Sequence, residues 1–272
     1  MGRWADRSTT TPVVAPYSRI FFFLTGRESV AALLGCVAGW ARPAARIHIA
    51  GLSGASSLSQ RIVMTATVDA ACATLERNGF EVKKEFVEAN PAMGPTTALA
   101  HAARTSLAEL LIGTPPDPAA LAGAADCPVL VVPMPLVRNC RIPPQRIFVA
   151  SDGSATSARA VREAARIAAA PGAEIRVGYL ACDPASARHP AGLSAVVLPT
   201  RREGEDASQA IAVAARHWRT DLVVLGAAGN PRDTGKHDAC LATDVVQRTA
   251  LPLLLVPQTS PWPDHAAWRG LH

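Results

Sequence analysis

Two stretches decide the fold: "YSRIFFFLTGRES" (17–29) and "PQRIFVASDGSATS" (144–157). Both begin with an apolar run, pass through a single glycine and enter a segment rich in small or hydroxyl residues. Apolar runs without alternation read as strands buried on both faces. The same pairing continues outward. "ARIHIAGL" (45–52) lines up with "AEIRVGYL" (173–180), and "DCPVLVVPMP" (126–135) with "ALPLLLVPQT" (250–259), at offsets of 127, 128 and 124. Three matches in one order mean two copies of one module. "LVRNCRIPPQ" (136–145) is the expected linker, since its proline pair resists regular structure.

Each copy reads as strand, helix, strand, then alternation to a last strand. Helical stretches fall at 154–172, with Ser154 as N-cap and Pro171-Gly172 as stop, and at 206–218. Apolar strands with helices between them give an α/β fold with a parallel sheet, doubly wound, in each copy. The copies differ in complementary places. Copy one has a full helix between its second and third strands, 56–78, where copy two offers only "CDPASARHPAGLS" (182–194), near the minimum for a crossover. Copy two is therefore expected to lack that helix. Copy one in turn lacks a loop: Gly113 to Pro128 spans 15 positions, and Gly226 to Pro252 spans 26.

Composition bounds the rest. A chain of 272 residues with 49% hydrophobic residues suits two domains at ~150 residues each. The net charge is +5 and the sequence pI about 9.1. The lysines are Lys83, Lys84 and Lys236, and the arginines are scattered. With 5% aromatic residues and no recognition motif, a nucleic-acid partner is not expected. Six cysteines without a CxxC read as buried reduced thiols, which fits a cytoplasmic protein. The start lacks the apolar core of a secretory signal, and "IFFFL" (20–24) is too short to span a membrane. Residues 1–17 and 260–272 read as loose tails.

The stretch "VLGAAGNPRDTGKHDACLATDVV" (224–246) stands where an α/β protein holds a phosphate. It is no P-loop. Gly229 and Gly235 are separated by one residue too many, and His237 replaces the hydroxyl that would bind magnesium. "SDGSATS" (151–157) lacks the glycine pair of an ATP-pyrophosphatase turn. His237, Asp238 and Cys240 have no second pair to close a zinc site, so no metal is expected. No nucleophile–base pair can be assembled, so no catalysis is expected either.

"RIFVASDGSATSARAVREAARIAA", "EGEDASQAIAVAARHWRTDLVVLGAAG" and "LATDVVQRTALPLLLVP" together resemble a universal stress protein domain. "CPVLVVP", "ATLERNGFEVKKEFVEANP" and "ELLIGT" in copy one are similar. The chain thus resembles a tandem universal stress protein, with a degenerate domain at 17–137 and a second at 145–260. The resemblance implies two five-stranded parallel sheets of order 3-2-1-4-5. It also implies that the last strands, 128–133 and 252–257, meet antiparallel within the chain and so cover two open edges. A homodimer is a further expectation of it. The family is regulatory, often without demonstrated catalysis, and some members bind ATP.

In those binders an Asp after the first strand contacts adenine, and a G-x2-G-x9-G-[ST] loop holds the phosphates. The resemblance carries ligand contacts to Asp152, Gly153, Leu180, Gly226, Gly229, Ala239, Cys240 and Leu241. Ala239 and Cys240 stand where the last Gly and Ser/Thr belong. Ala in place of a positive-φ Gly costs about 1 kcal/mol or more. A lost charge-assisted hydrogen bond costs roughly 1.5–3 kcal/mol, and a thiol recovers little of it. Together they weaken binding about a hundredfold or more, with partial return from Arg232, Lys236 and His237. ATP is therefore the candidate ligand of the second domain, weakly held. The other readings are an ATP-responsive switch or weak ATPase, and a ligand-free interaction module. Asp152 either contacts a ligand or caps the next helix, and the glycines either belong to a phosphate loop or permit a tight strand exit. In copy one Thr25 and Arg27 replace the Asp and Ser of the turn, so no nucleotide is expected there.

Overall fold

The structure, a computed structural model, describes residues 16–26, 30–53, 57–89, 93–133, 141–169, 172–181, 194–199, 207–227 and 237–258. The first half runs β1 (Tyr17–Leu24), α1 (Val30–Trp40), β2 (Ala41–Ser53), α2 (Leu58–Arg77), β3 (Glu81–Glu88), α3 (Pro95–Thr105), β4 (Leu110–Gly113), α4 (Pro118–Ala124) and β5 (Val129–Val131). The second runs β6 (Arg146–Ser151), α5 (Ala155–Ala169), β7 (Glu174–Ala181), β8 (Ser194–Pro199), α6 (Ala207–His217), β9 (Leu222–Ala227), α7 (His237–Thr249) and β10 (Leu253–Pro257).

The two parallel halves merge into one ten-stranded sheet of order β3-β2-β1-β4-β5-β10-β9-β6-β7-β8. Each half reads 3-2-1-4-5 from its own outer edge. The halves meet where β5 and β10 pair antiparallel, Leu254 opposite Leu130. The strands at this seam are fully apolar, "VLV" and "LLLVP". Charged residues fill the outer edge strand β3, "EVKKEFVE". Charge on an open edge deters further pairing, and its absence at the seam permits it.

Helices cover both faces. One core packs α1, α2 and α5 against Ile20, Phe22, Ile147 and Val149; the other packs α3, α4, α6 and α7 against Phe21, Phe23, Phe148 and Leu255. Alternate residues of each strand therefore enter opposite cores, as buried parallel strands require. The helix expected at 56–78 is α2, opened by a capping box between Ser57 and Gln60. Residues 182–193, where a helix is expected to be missing, lie outside the described residues, as does most of the linker.

Local contacts repeat where the residue types do not. In the first half the buried Glu109, just before β4, accepts the N–H of Ser18 at 2.7 Å. In the second, Asp221 just before β9 accepts the N–H groups of Gln145 and Arg146, each at 2.9 Å. A carboxylate thus fixes the start of each first strand. The seam is clamped unequally. Tyr17 donates to Glu163 of α5 at 2.6 Å, and Arg166 bridges Glu163 while stacking on the Tyr17 ring. The pseudo-two-fold counterpart is Gly39 of α1, where Ile142 occupies the space a Cβ would need.

Candidate nucleotide site at the ends of β6 and β9

Strand order reverses at β6, which lies between β9 and β7; α5 leaves β6 on one face of the sheet and α7 leaves β9 on the other. Crevices open at such points at the carboxyl ends of the strands. Ser151 ends β6, and its hydroxyl lies 3.0 Å from that of Ser157 in the first turn of α5. Ser154 is the N-cap: its Oγ accepts the N–H of Ser157 at 3.1 Å. Gly153 adopts φ +81, which turns the chain from strand to helix in a region that favours glycine.

Asp152 does not cap the helix. Its Oδ1 accepts the N–H of Ser154 at 2.9 Å, closing a turn within the strand-to-helix corner. Partial burial alone would raise its carboxyl. Hydrogen bonds from Ser154, side chain and backbone, and from Ser157 outweigh that burial and hold it below the usual carboxylate range. Part of Asp152 stays open to solvent, so an ionised acceptor stands at the carboxyl end of β6.

Gly226 has a packing reason to be glycine. A Cβ there would lie 2.8 Å from the backbone carbonyl carbon of Thr156 and 2.9 Å from its oxygen. Backbone cannot retreat as a flexible side chain can, so β9 approaches the first turn of α5 only with glycine at this position. Of the residues inferred from sequence, Asp152, Gly153, Leu180 and Gly226 come together at the ends of β6, β7 and β9. Leu180 and Leu241 are both half-buried against the α6/α7 core. Gly229 lies outside the described residues. Ala239 and Cys240 fall in the first turn of α7, and their side chains lie outside them too. Sequence reading missed Ser151 and Ser157, which tie the corner together. The signal for Ser151 was in the repeat, which sets it opposite Leu24.

The first half builds the same place from other residues. Gly26 turns the chain with φ +85, at the position 127 residues before Gly153. Phe23 stands where the second half has Ala150, and its ring lies across Gly113 in the space a Cβ would take. After β4 the chain enters α4 almost at once, capped by Asp117 accepting from Ala120 at 2.9 Å.

The comparisons with known proteins fall on this frame. Residues 144–197 match the universal stress protein family. The matched segment holds the corner just described, from β6 through α5 and β7 into β8. A search of curated sequences finds no match. Among solved structures, the chain is similar to a universal stress protein from Archaeoglobus fulgidus, with 13% identity, TM-score 0.63, and 90% of this chain and 98% of that one covered. A putative universal stress protein from Pseudomonas aeruginosa is similar at 17% identity and TM-score 0.57, covering 89% of this chain and 93% of that one. The cytoplasmic domain of a prokaryotic cation chloride cotransporter shares the fold at 11% identity and TM-score 0.51, covering 88% and 95%. At these identities the likeness carries the fold, across both halves. Among the described residues, no group of three His, Cys, Asp or Glu is placed for a metal, and no helix is long and apolar enough to cross a membrane. Cys36, Cys72 and Cys127 are buried and in no disulfide, and burial pushes the Cys127 thiol up to about 12.

Proposed function

We propose that the chain is a cytoplasmic universal stress protein of regulatory rather than catalytic character, a tandem in which the second half alone holds an adenine nucleotide, and weakly. One observation carries this reading. The corner Ser151-Asp152-Gly153-Ser154 presents an ionised acceptor at a strand-order reversal, beside a β9 brought against α5 at Gly226. An acceptor there suits the exocyclic amine of adenine, and the first turn of α5 supplies positive potential. The half at 17–137 acts as structural partner, with Thr25 and Arg27 in place of the Asp and Ser of the turn. Loss of Gly and Ser/Thr at 239 and 240 sets the affinity low.

Calorimetric titration of ATP into the full chain, beside Asp152→Ala, tests this. Weak heats that vanish in the variant are expected. Binding that survives Asp152→Ala removes the assigned contact. No binding at millimolar ATP leaves the ligand-free interaction module as the reading.

A further inference from the structure

One position of the repeat carries a fixed charge in one half and a titrating group in the other. His48 of β2 lines up with Arg176 of β7, at the offset of 128. Arg176 stacks on the Trp218 ring at 4.8 Å, and a guanidinium keeps its charge throughout the physiological range. The strand registers extend the comparison. Opposite His48 stands Lys83 of β3, with Glu85 two residues on; the residue matching Glu85 in β8 is Val196. His48 and Glu85 therefore share one face of the sheet, on neighbouring strands. The His48 Nδ1 and Glu85 Oε1 atoms are both buried, and neither has a hydrogen-bond partner among the described residues.

Four charges act on His48 from β2 and β3: Glu85, Lys83, Arg46 and Glu81. Arg46 and Glu81 are paired at 2.8 Å. On β1 the residue opposite His48 is Phe21, and Arg19, two residues earlier, is paired with Glu109. Helix α3 packs on this face through Ala98, Leu99 and Ala103, and keeps His101 and Arg104 exposed, Arg104 on Asp126. The strand beside His48 is weakly held. β3 is the outer strand of its half and pairs with β2, from Arg46 opposite Glu81 to Ser53 opposite Glu88. Of its side chains only Val87 is fully buried. Segments with few buried contacts open first.

We propose that the first half carries an acid-sensitive edge: protonation of His48 loosens β3 from β2, and Glu85 limits how far. An imidazolium there loses hydration and stands beside Lys83 and Arg46, while the nearest carboxylate is not bonded to its Nδ1. Burial above all holds the imidazole below the ordinary histidine range; Glu85 works against burial, and Lys83 and Arg46 add to it. The unfolded segment therefore takes up its proton first. The stability that neutral His48 contributes is complete above about pH 6.5 and is lost as pH falls toward the lower folded-state value. The second half has no such group at this place, since Arg176 and Val196 stand there.

Nuclear magnetic resonance titration of the histidine rings in the full chain, with hydrogen exchange of the β3 and β8 amides at each pH, tests this. His48 should titrate below about pH 6.5. Protection of β3, corrected for intrinsic exchange, should fall about threefold or more between about pH 7 and 5.5, while β8 keeps its protection. His48→Gln should hold β3 protection constant over that range. Glu85→Gln should move the His48 midpoint further down. An ordinary His48 midpoint overturns the proposal. So does a loss of protection that β3 shares with β8, or one that His48→Gln leaves as large as before. Should His48→Gln not fold, the wild-type titration and the Glu85→Gln midpoint still decide, and an unmoved midpoint removes the role of Glu85.

Discussion

The two halves share a frame and differ at one level, the carboxyl ends of their central strands. In the first half β1 ends in Phe23 and Leu24, and the Phe23 ring lies over Gly113. In the second, the strand register puts Ala150 in the place of Phe23 and Leu225 in the place of Gly113, so the large and small residues change strands, while Gly226, one residue on, admits the backbone of α5. The core volume is filled in both halves, and the polar corner is added at Ser151, where the first half has the buried Leu24. Duplication of a fold lets each copy fill one volume from a different strand. Phe23, fully buried, fills it from β1.

The largest expected effect breaks that filling. Phe23→Ala removes a buried ring and should cost about 3–5 kcal/mol of stability, read as a lower urea midpoint. A loss below about 1 kcal/mol would mean that the ring does not fill the volume over Gly113. The next variant sharpens the contrast from the other side. Ala239→Gly with Cys240→Ser restores the residues that a phosphate loop uses, and should tighten ATP about a hundredfold in calorimetry. Unchanged affinity would show that the second half does not use this loop.

The smallest effect concerns the seam. Tyr17→Phe removes the hydrogen bond to Glu163 and should cost about 1 kcal/mol. Burial, then the Glu163 charge, hold the Tyr17 hydroxyl well above its ordinary value. A raised folded-state value means that this contribution is complete below about pH 10, the ordinary tyrosine range, and is lost as pH rises beyond it. Stability profiles of the wild type and Tyr17→Phe should therefore converge above that pH. Parallel profiles would place the hydroxyl outside the clamp.

Much of the fold was legible because it is written in periodicity and in repeats. Continuous apolar runs such as "IFVA" and "PLLLV" announce strands buried on both faces, and Ser154 announces the start of α5. The helices read at 56–78, 154–172 and 206–218 fall within a few residues of the bounds of α2, α5 and α6. β2 is the exception: it starts at Ala41 rather than 45, through a shift in register between Tyr17 and Arg19 that no pattern signals. The site was less legible. Asp152 and Gly226 stood out in the sequence, but their reasons did not. Asp152 looked like either a ligand or a cap, and the cap proved to be Ser154. The need for glycine at 226 comes from Thr156, 70 positions away.

By itself, then, the sequence determined the alternation of strand and helix, the two copies and the places where each departs from the other. These depend on local propensity and on the burial demanded of each residue, which neighbours in the chain record. Only the tertiary structure decided that a serine corner shapes the end of β6, that Phe23 against Gly113 in one half answers Leu225 beside Ala150 in the other, and that α2 keeps an apolar face outward. Those outcomes depend on which distant backbones approach within van der Waals contact, and on the charge and volume present where they meet.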